Sequence, residues 1–311
     1  MIQAVRYLPS LKTSWDTFVE ESKNGTFLLR RDYMEYHSDR FTDCSLMFYE
    51  GVNLKALFPA SLHGKRVVSH GGLTYGGLIV DRSMTVSTML EVMDTLLTFF
   101  KGQGMEEVAY KRIPSIYCSY PSDEDLYALF RSDAVLSKCG ISSAIYLPER
   151  IQFSKRRHRE INKAKRSCLT FTESTDFEGF IDVLSEILSQ RHGVSPVHSA
   201  RELRLLQSSF PENIKLYVAL KENHIIAGTV VYVTPLVVHT QYLANSEEGR
   251  KCGALDFVID RLVSDIYKDK RYLDFGISTE DGGHYLNEGL AVQKQEFGAR
   301  GVVYEEFTIR L

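Results

Sequence analysis

Long apolar runs are missing from this sequence. The most apolar stretch, from Ile225 to Val238, is interrupted by Thr234-Pro235. It is too short to cross a bilayer and reads as two strands joined by a turn. The opening residues, MIQAVRYLPSLKTSWD, have neither a basic segment nor an apolar core of the secretory kind, so a cytoplasmic protein is expected. A dominant charge is missing too. The 37 Lys and Arg stand against 40 Asp and Glu, a net of -3. This excludes a chain-wide attraction to nucleic acid or membrane and leaves only local patches. Cysteine is scarce and scattered: Cys44, Cys118, Cys139, Cys168 and Cys252 form no C-x-x-C pair. A disulfide framework and a zinc site are thereby disfavoured, and reduced thiols with no metal are expected. No G-x-S-x-G element is present, so a serine nucleophile on a strand-helix elbow is not expected.

What is present is an ordinary globular composition, 44% hydrophobic and 25% charged, over 311 residues. That length favours two domains over one. Period-3.6 stripes predict helices such as Val86 to Lys101, with Met89, Val92, Met93, Leu96, Leu97 and Phe100 inward. Leu28 to His37 is expected as a short helix. Apolar alternation predicts strands at Ser45 to Tyr49, Ala56 to Leu62 and Glu107 to Arg112. Between them, SHGGLTYGGLIVDRS brackets Tyr75 with four glycines, a pattern that suits a ligand loop or a tight turn.

The stretch from Arg150 to Arg166 differs from its surroundings. It carries eight Lys and Arg against the single acid Glu160, with a narrow apolar face of Phe153, Ile161, Ala164 and Cys168. This predicts a helix anchored on one side and cationic on the other. Such a face suits phosphate or RNA, or is simply solvated.

Beyond it, Leu169 to Glu173 is expected as a strand, and Phe177 to Arg191 and Ser199 to Phe210 as helices, the latter opened by a capping box. Three strands follow as an antiparallel meander turning at Glu222-Asn223-His224 and Thr234-Pro235. His239 to Gly298 then reads as strand, helix, strand, helix, with the two connecting loops on one sheet edge, where ligands bind in open α/β sheets. A helix is expected to open at Gly253-Ala254. Its free amides, with Arg250 and Lys251 beside them, suit an anion such as a pyrophosphate. Cys252 at this point has the setting for a lowered thiol pKa. Asp274, at a strand end, and His284, in a Gly-Gly-His-Tyr loop, are candidate bases, with Glu280, Asp281 and Tyr285 nearby. Asp274 can equally cap a loop, and His284 can equally be exposed without a role. Leu286, Leu290 and Lys294 are spaced by four, which places a lysine on the inward face of the last helix or leaves it snorkelling to solvent.

Several segments in order resemble the FemAB-like (FemABX) transferases of the GNAT acyltransferase superfamily. They are Phe58-Pro59-Ala60, Tyr75-Gly76-Gly77, Arg112-Ile113-Pro114, Arg156-Arg157 with Ile161 to Arg166, Tyr242-Leu243-Ala244-Asn245, Gly253-Ala254, Leu273-Asp274-Phe275-Gly276, and Lys294 with Phe297-Gly298. The sequence departs from the usual GNAT helix-opening motif at Leu255, where a small residue is the rule. The resemblance implies an α+β (α/β) fold of two GNAT-like lobes, each a mixed, mostly antiparallel sheet flanked by helices. The expected division is a lobe over 1–148, a basic helical connector over 149–168 and a second lobe over 169–311.

It also implies a bacterial N-acyltransferase that moves an acyl group from acyl-CoA to a small-molecule or peptide amine by direct attack in a ternary complex. An aminoacyl-tRNA donor, with a cell-wall precursor as acceptor, stays open as the less favoured reading, and so does a catalytically silent binding protein. By the same resemblance, backbone amides at Leu243, Ala244 and Asn245 would hold the donor's oxyanion. Tyr75, Arg157 and Lys294 would border the acceptor. Tyr242 is then a candidate to protonate the leaving thiolate, or a packing residue.

Overall fold

The computed structural model describes residues 1–36, 38–192 and 195–311. The chain divides into two compact units. Unit 1 is Met1–Ile141 with Thr279–Tyr285 and Val302–Leu311, and unit 2 is Ser142–Ser278 with Leu286–Gly301. The division therefore falls inside the strand Val135–Tyr146, and the last residues of the chain belong to the first unit. The basic helix expected as a connector belongs to unit 2.

In unit 1 the strands Ile2–Arg6, Leu46–Glu50, Asn53–Phe58 and Ile79–Val80 form a four-stranded sheet in that order. The helix Val86–Gly102 packs its apolar stripe of Met89, Val92, Met93, Leu96 and Phe100 into a core with Phe48, Phe58 and Tyr110. Its N-terminus is capped by Thr85, whose side chain accepts from the Thr88 N–H. Each of these buried side chains contributes roughly 1.5–3 kcal/mol relative to exposure. The helix expected over Leu28 to His37 is a 3-10 turn at Phe27–Leu29 and a short helix at Arg31–Glu35. His37 lies outside the described residues. Arg31 is buried there because Glu35 and Asp43 pair with its guanidinium and the Tyr7 ring lies 3.7 Å beneath it.

In unit 2, Thr170–Ser174, Ile214–Lys221, His224–Val233 and Val237–Asn245 pair antiparallel in sequence order. Glu222 and Asn223 both take positive φ, as a two-residue hairpin turn requires. The strand Tyr272–Ile277 then runs parallel to Val237–Asn245, and residues 142–146 pair antiparallel with its other side. The helix Ala254–Arg261 buries Leu255, Val258 and Ile259 in a core with Val231, Val238, Leu273, Phe275 and Phe297. The helix Ala200–Ser209 opens with the expected capping box between Ser199 and Glu202.

The helix expected to open at Gly253-Ala254 does start at Ala254, but a short helix that the sequence did not announce precedes it. Glu247–Cys252 ends at Gly253, whose φ is 74°; Ala254–Arg261 starts again, and a π-helical turn follows at Leu262–Ile266. Glycine is required at the break for two reasons. Its backbone is left-handed, and a Cβ there would lie 2.3 Å from the Glu160 carbonyl oxygen of the helix Lys155–Arg166.

Candidate active site at a strand fork

The site is built where two parallel strands part. Val237–Asn245 and Tyr272–Ile277 are paired only over Val237–His239 and Tyr272–Asp274. Both strands deform at that point. The first has an extra residue, Gln241, against its antiparallel neighbour, since Val231 faces Thr240 and Val230 faces Tyr242. Such a bulge increases the local twist and turns the strand aside. The second loses register with residues 142–146 between Asp274 and Ile277, around Gly276, whose φ is 76°. Beyond the last paired rung, no strand among the described residues lies beside residues 240–245 on the side of Tyr272–Ile277. Backbone polar groups on such an edge call for another partner.

The bulge also decides which side chains share a face. His239 lies opposite Tyr232, Tyr242 opposite Val230 and Ala244 opposite Gly228, so all three sit on one face of the sheet. On that face Gly228 lies against Phe180 of the helix Phe177–His192, with 3.3 Å left for a Cβ. Val238, Thr240, Leu243 and Asn245 occupy the other face, the one covered by the helix Ala254–Arg261.

The first face carries a polar cluster. Asp274 is fully buried. Its Oδ1 accepts from the Ser142 hydroxyl at 2.5 Å, and its Oδ2 lies 2.7 Å from His239 Nδ1. His239 is 15% exposed, and its Nε2 has no hydrogen-bond partner among the described residues. On the same face the Tyr242 hydroxyl meets His198 Nδ1 at 2.5 Å and also accepts from the His198 backbone N–H at 3.3 Å. Burial pushes the Tyr242 pKa up, opposed by the His198 N–H.

Lys294 approaches the fork from the helix Glu288–Gln295. It is 4% exposed, and its Nζ donates to the carbonyls of Gly276 at 2.7 Å and Ile277 at 2.9 Å, and to Ser278 Oγ at 2.9 Å. The lysine thus ties the last helix to the free end of the second strand. Burial lowers its pKa to about 8, and the Asp274 charge acts against that shift.

The other face opens onto a cleft of about 460 Å³ whose lining includes Leu243, Asn245, Leu255, Arg250, Arg156 and Lys163. Arg157 also lines it but is held internally. Its guanidinium pairs with Asp256 at 2.8 Å and Glu296 at 2.5 Å and lies 4.9 Å from the Phe297 ring. Burial raises the Asp256 pKa, and the Arg157 charge opposes it.

Arg250 donates to the Asn245 carbonyl at 3.1 Å, and Lys251 makes an exposed ion pair with Glu247 at 2.7 Å. The Gly253 N–H bonds back to the Gly249 carbonyl, and Ala254 is fully buried. With the Glu160 backbone lying against Gly253, the Gly253-Ala254 junction is a packing joint. Cys252 is not activated: its thiol is buried near the Gly249 carbonyl, and burial pushes its pKa up.

Tyr75 and His284 fall in unit 1. Tyr75 is 2% exposed, with its hydroxyl 2.9 Å from Thr26 Oγ1 and its ring 4.7 Å from Tyr117. His284 is exposed just after the turn Asp281–Gly283. Among the described residues, no group of three or more His, Cys, Asp or Glu is placed to hold a metal ion. Sequence reasoning overlooked His239, Ser142 and His198. The available signal for His239 was a lone polar ring in an apolar strand, at the same sheet edge as Asp274.

Residues 152–285 match a family model described as an acetyltransferase (GNAT) domain. Among solved structures, FemX is similar at a TM-score of 0.70 and 12% identity, covering 99% of this chain and 97% of that one. L-PGS from Bacillus licheniformis is similar at 0.63 and 14%, covering 98% and 92%. A tandem GNAT protein from the clavulanic acid biosynthesis pathway is similar at 0.51 and 10%, covering 100% and 98%. No curated protein matches by sequence. The fold is that of the FemABX-like GNAT proteins, a mixed α/β architecture.

Proposed function

We propose that this FemABX-like GNAT protein, an N-acyltransferase, moves an acyl group from an acyl-CoA thioester to an amine acceptor by direct attack in a ternary complex. The fork carries this reading. Its unpaired edge, residues 240–245, separates a cation-bearing cleft on one face from a polar, titratable cluster on the other. A donor in the cleft would lay its acyl carbonyl against the edge, where an N–H of Leu243, Ala244 or Asn245 stabilises the oxyanion. Arg250, Arg156 and Lys163 would face the donor's phosphates, a role the enclosed amides of Gly253 and Ala254 are poorly placed to share. The acceptor amine would approach from the face of His239 and Tyr242. Lys294 would fix the second strand's tip and with it the width of the fork.

A second reading replaces the donor with an aminoacyl-tRNA. One observation favours it: Arg156, Arg159, Lys163 and Arg166 line a shallow hollow on the outer side of the helix Lys155–Arg166. That array suits a longer polyanion than the phosphates of CoA. Both donors fit a cytoplasmic protein. In thermal-shift titrations, stabilisation by acetyl-CoA or a longer acyl-CoA supports the first reading. A shift given only by aminoacyl-tRNA, and lost with rising salt, supports the second. No shift with any of these donors overturns both and leaves a silent two-unit binding protein.

A further inference from the structure

We infer that His239, held by Asp274, is the group that takes the proton from the attacking amine. The inference rests on the acyl-transfer reading and assigns its missing base. An amine acceptor enters as an ammonium and must lose a proton before it can attack.

His239 meets the requirements for that role. It stands on the last paired rung before the strands part, so it sits at the mouth of the fork. It lies on the face opposite the donor cleft, from which an acceptor can reach an acyl carbon held in the fork. Its Nδ1 is tied to the buried Asp274, whose second oxygen is engaged by Ser142. With the carboxylate as acceptor, the proton sits on Nδ1, and Nε2 presents its lone pair outward. Asp274 is then a positioning residue: it sets the ring's orientation and tautomer and steadies the imidazolium that forms. The neighbouring groups do not compete for the task. Lys294 directs its ammonium at three acceptors, and the Tyr242 hydroxyl is engaged by His198.

The ammonium gives one proton to His239 Nε2. The amine lone pair then attacks the acyl carbon, and the C–N bond forms. The tetrahedral intermediate collapses with cleavage of the C–S bond (the C–O bond for an ester donor). The nitrogen's second proton goes to the leaving group, and the imidazolium returns its proton to solvent.

Two measurements test the assignment. The first is nitrogen NMR of the intact wild-type protein with ¹⁵N-labelled histidine, which needs neither a variant nor turnover. In the neutral ring it should show His239 with its proton on Nδ1 and Nε2 unprotonated. A ring protonated on Nε2 overturns the assignment whatever the donor proves to be.

The second compares His239→Gln with wild type in acyl transfer from whichever donor stabilises the protein. The variant should keep the donor-induced thermal shift and lose about 100-fold or more in kcat/KM. It should also lose the wild-type limb in which rate rises with pH, and added imidazole should restore part of the rate to His239→Ala. A variant with near-wild-type kcat/KM and an unchanged pH profile overturns the assignment. Lack of any donor-induced shift in the wild type instead counts against the acyl-transfer reading, and the NMR result still decides the tautomer.

Discussion

Asp274 Oδ2 lies 2.7 Å from His239 Nδ1 across the last rung that joins two parallel strands. One residue further on, the strands have separated. The pair therefore marks the floor of the fork and links the strand geometry to its chemistry. Asp274 is fully buried and faces two groups that need an acceptor. Asp274→Ala should leave the Ser142 hydroxyl and the His239 N–H without it, at about 1–3 kcal/mol for each group left unsatisfied. Urea unfolding monitored by circular dichroism checks this. Ser142→Ala, which removes a donor and leaves the His239 bond in place, should cost only about 1 kcal/mol.

Lys294 makes stability depend on pH in a specific direction. Burial holds its folded pKa at about 8, below the ordinary 10.5. Between those values the unfolded chain binds more protons than the folded chain, so this residue's contribution rises with pH through that window. The stability difference between wild type and Lys294→Met should shift in favour of wild type by at most about 1.4 kcal/mol per pH unit there. Chemical denaturation of both proteins across this range measures the difference. No change in it would mean that the ammonium persists when buried, held by its three acceptors.

Gly253→Ala should act on the fold. The new Cβ meets the Glu160 carbonyl oxygen at 2.3 Å, and the backbone is left-handed, φ 74°. The backbone strain alone is of order 1–3 kcal/mol, and relief of the contact requires movement of the helix Lys155–Arg166. The melting temperature should fall by several degrees, while the folded fraction keeps donor affinity within about threefold in calorimetric titration. A stable variant with abolished binding would return the phosphate site to the Gly253 turn.

Arg250→Ala should behave in the opposite way. The side chain is exposed and lines the cleft. Loss of one phosphate contact should raise the donor Kd about tenfold with little change in melting temperature, and the effect should shrink at high salt. Titrations at two ionic strengths separate this from a folding defect.

The order of elements was readable because apolar periodicity and turn residues are local signals. The hairpin at Glu222-Asn223, the capping box at Ser199 and the stripe of Val86–Gly102 all follow from them. Lys294 was correctly placed on an inward face by its spacing of four from Leu290 and Leu286, although its three acceptors could not be foreseen. The bulge at Gln241 was not legible, since a bulge arises from pairing with another strand, and with it went the shared face of His239 and Tyr242. The short helix Glu247–Cys252 was missed, and the need for glycine at its junction with Ala254–Arg261 was not legible because it comes from the backbone of a helix about ninety residues earlier. That Arg157 is held by Asp256 and Glu296 was not legible because both partners are distant in sequence.

The central claim is that the donor lies along the unpaired edge of the fork. Amide hydrogen exchange with and without donor tests it most directly. With saturating acetyl-CoA, or with aminoacyl-tRNA under the second reading, peptides covering residues 240–245 should become protected and the turn at Gly253 should change little. Binding that leaves 240–245 unprotected, or that concentrates protection at residues 253–254, would contradict the account.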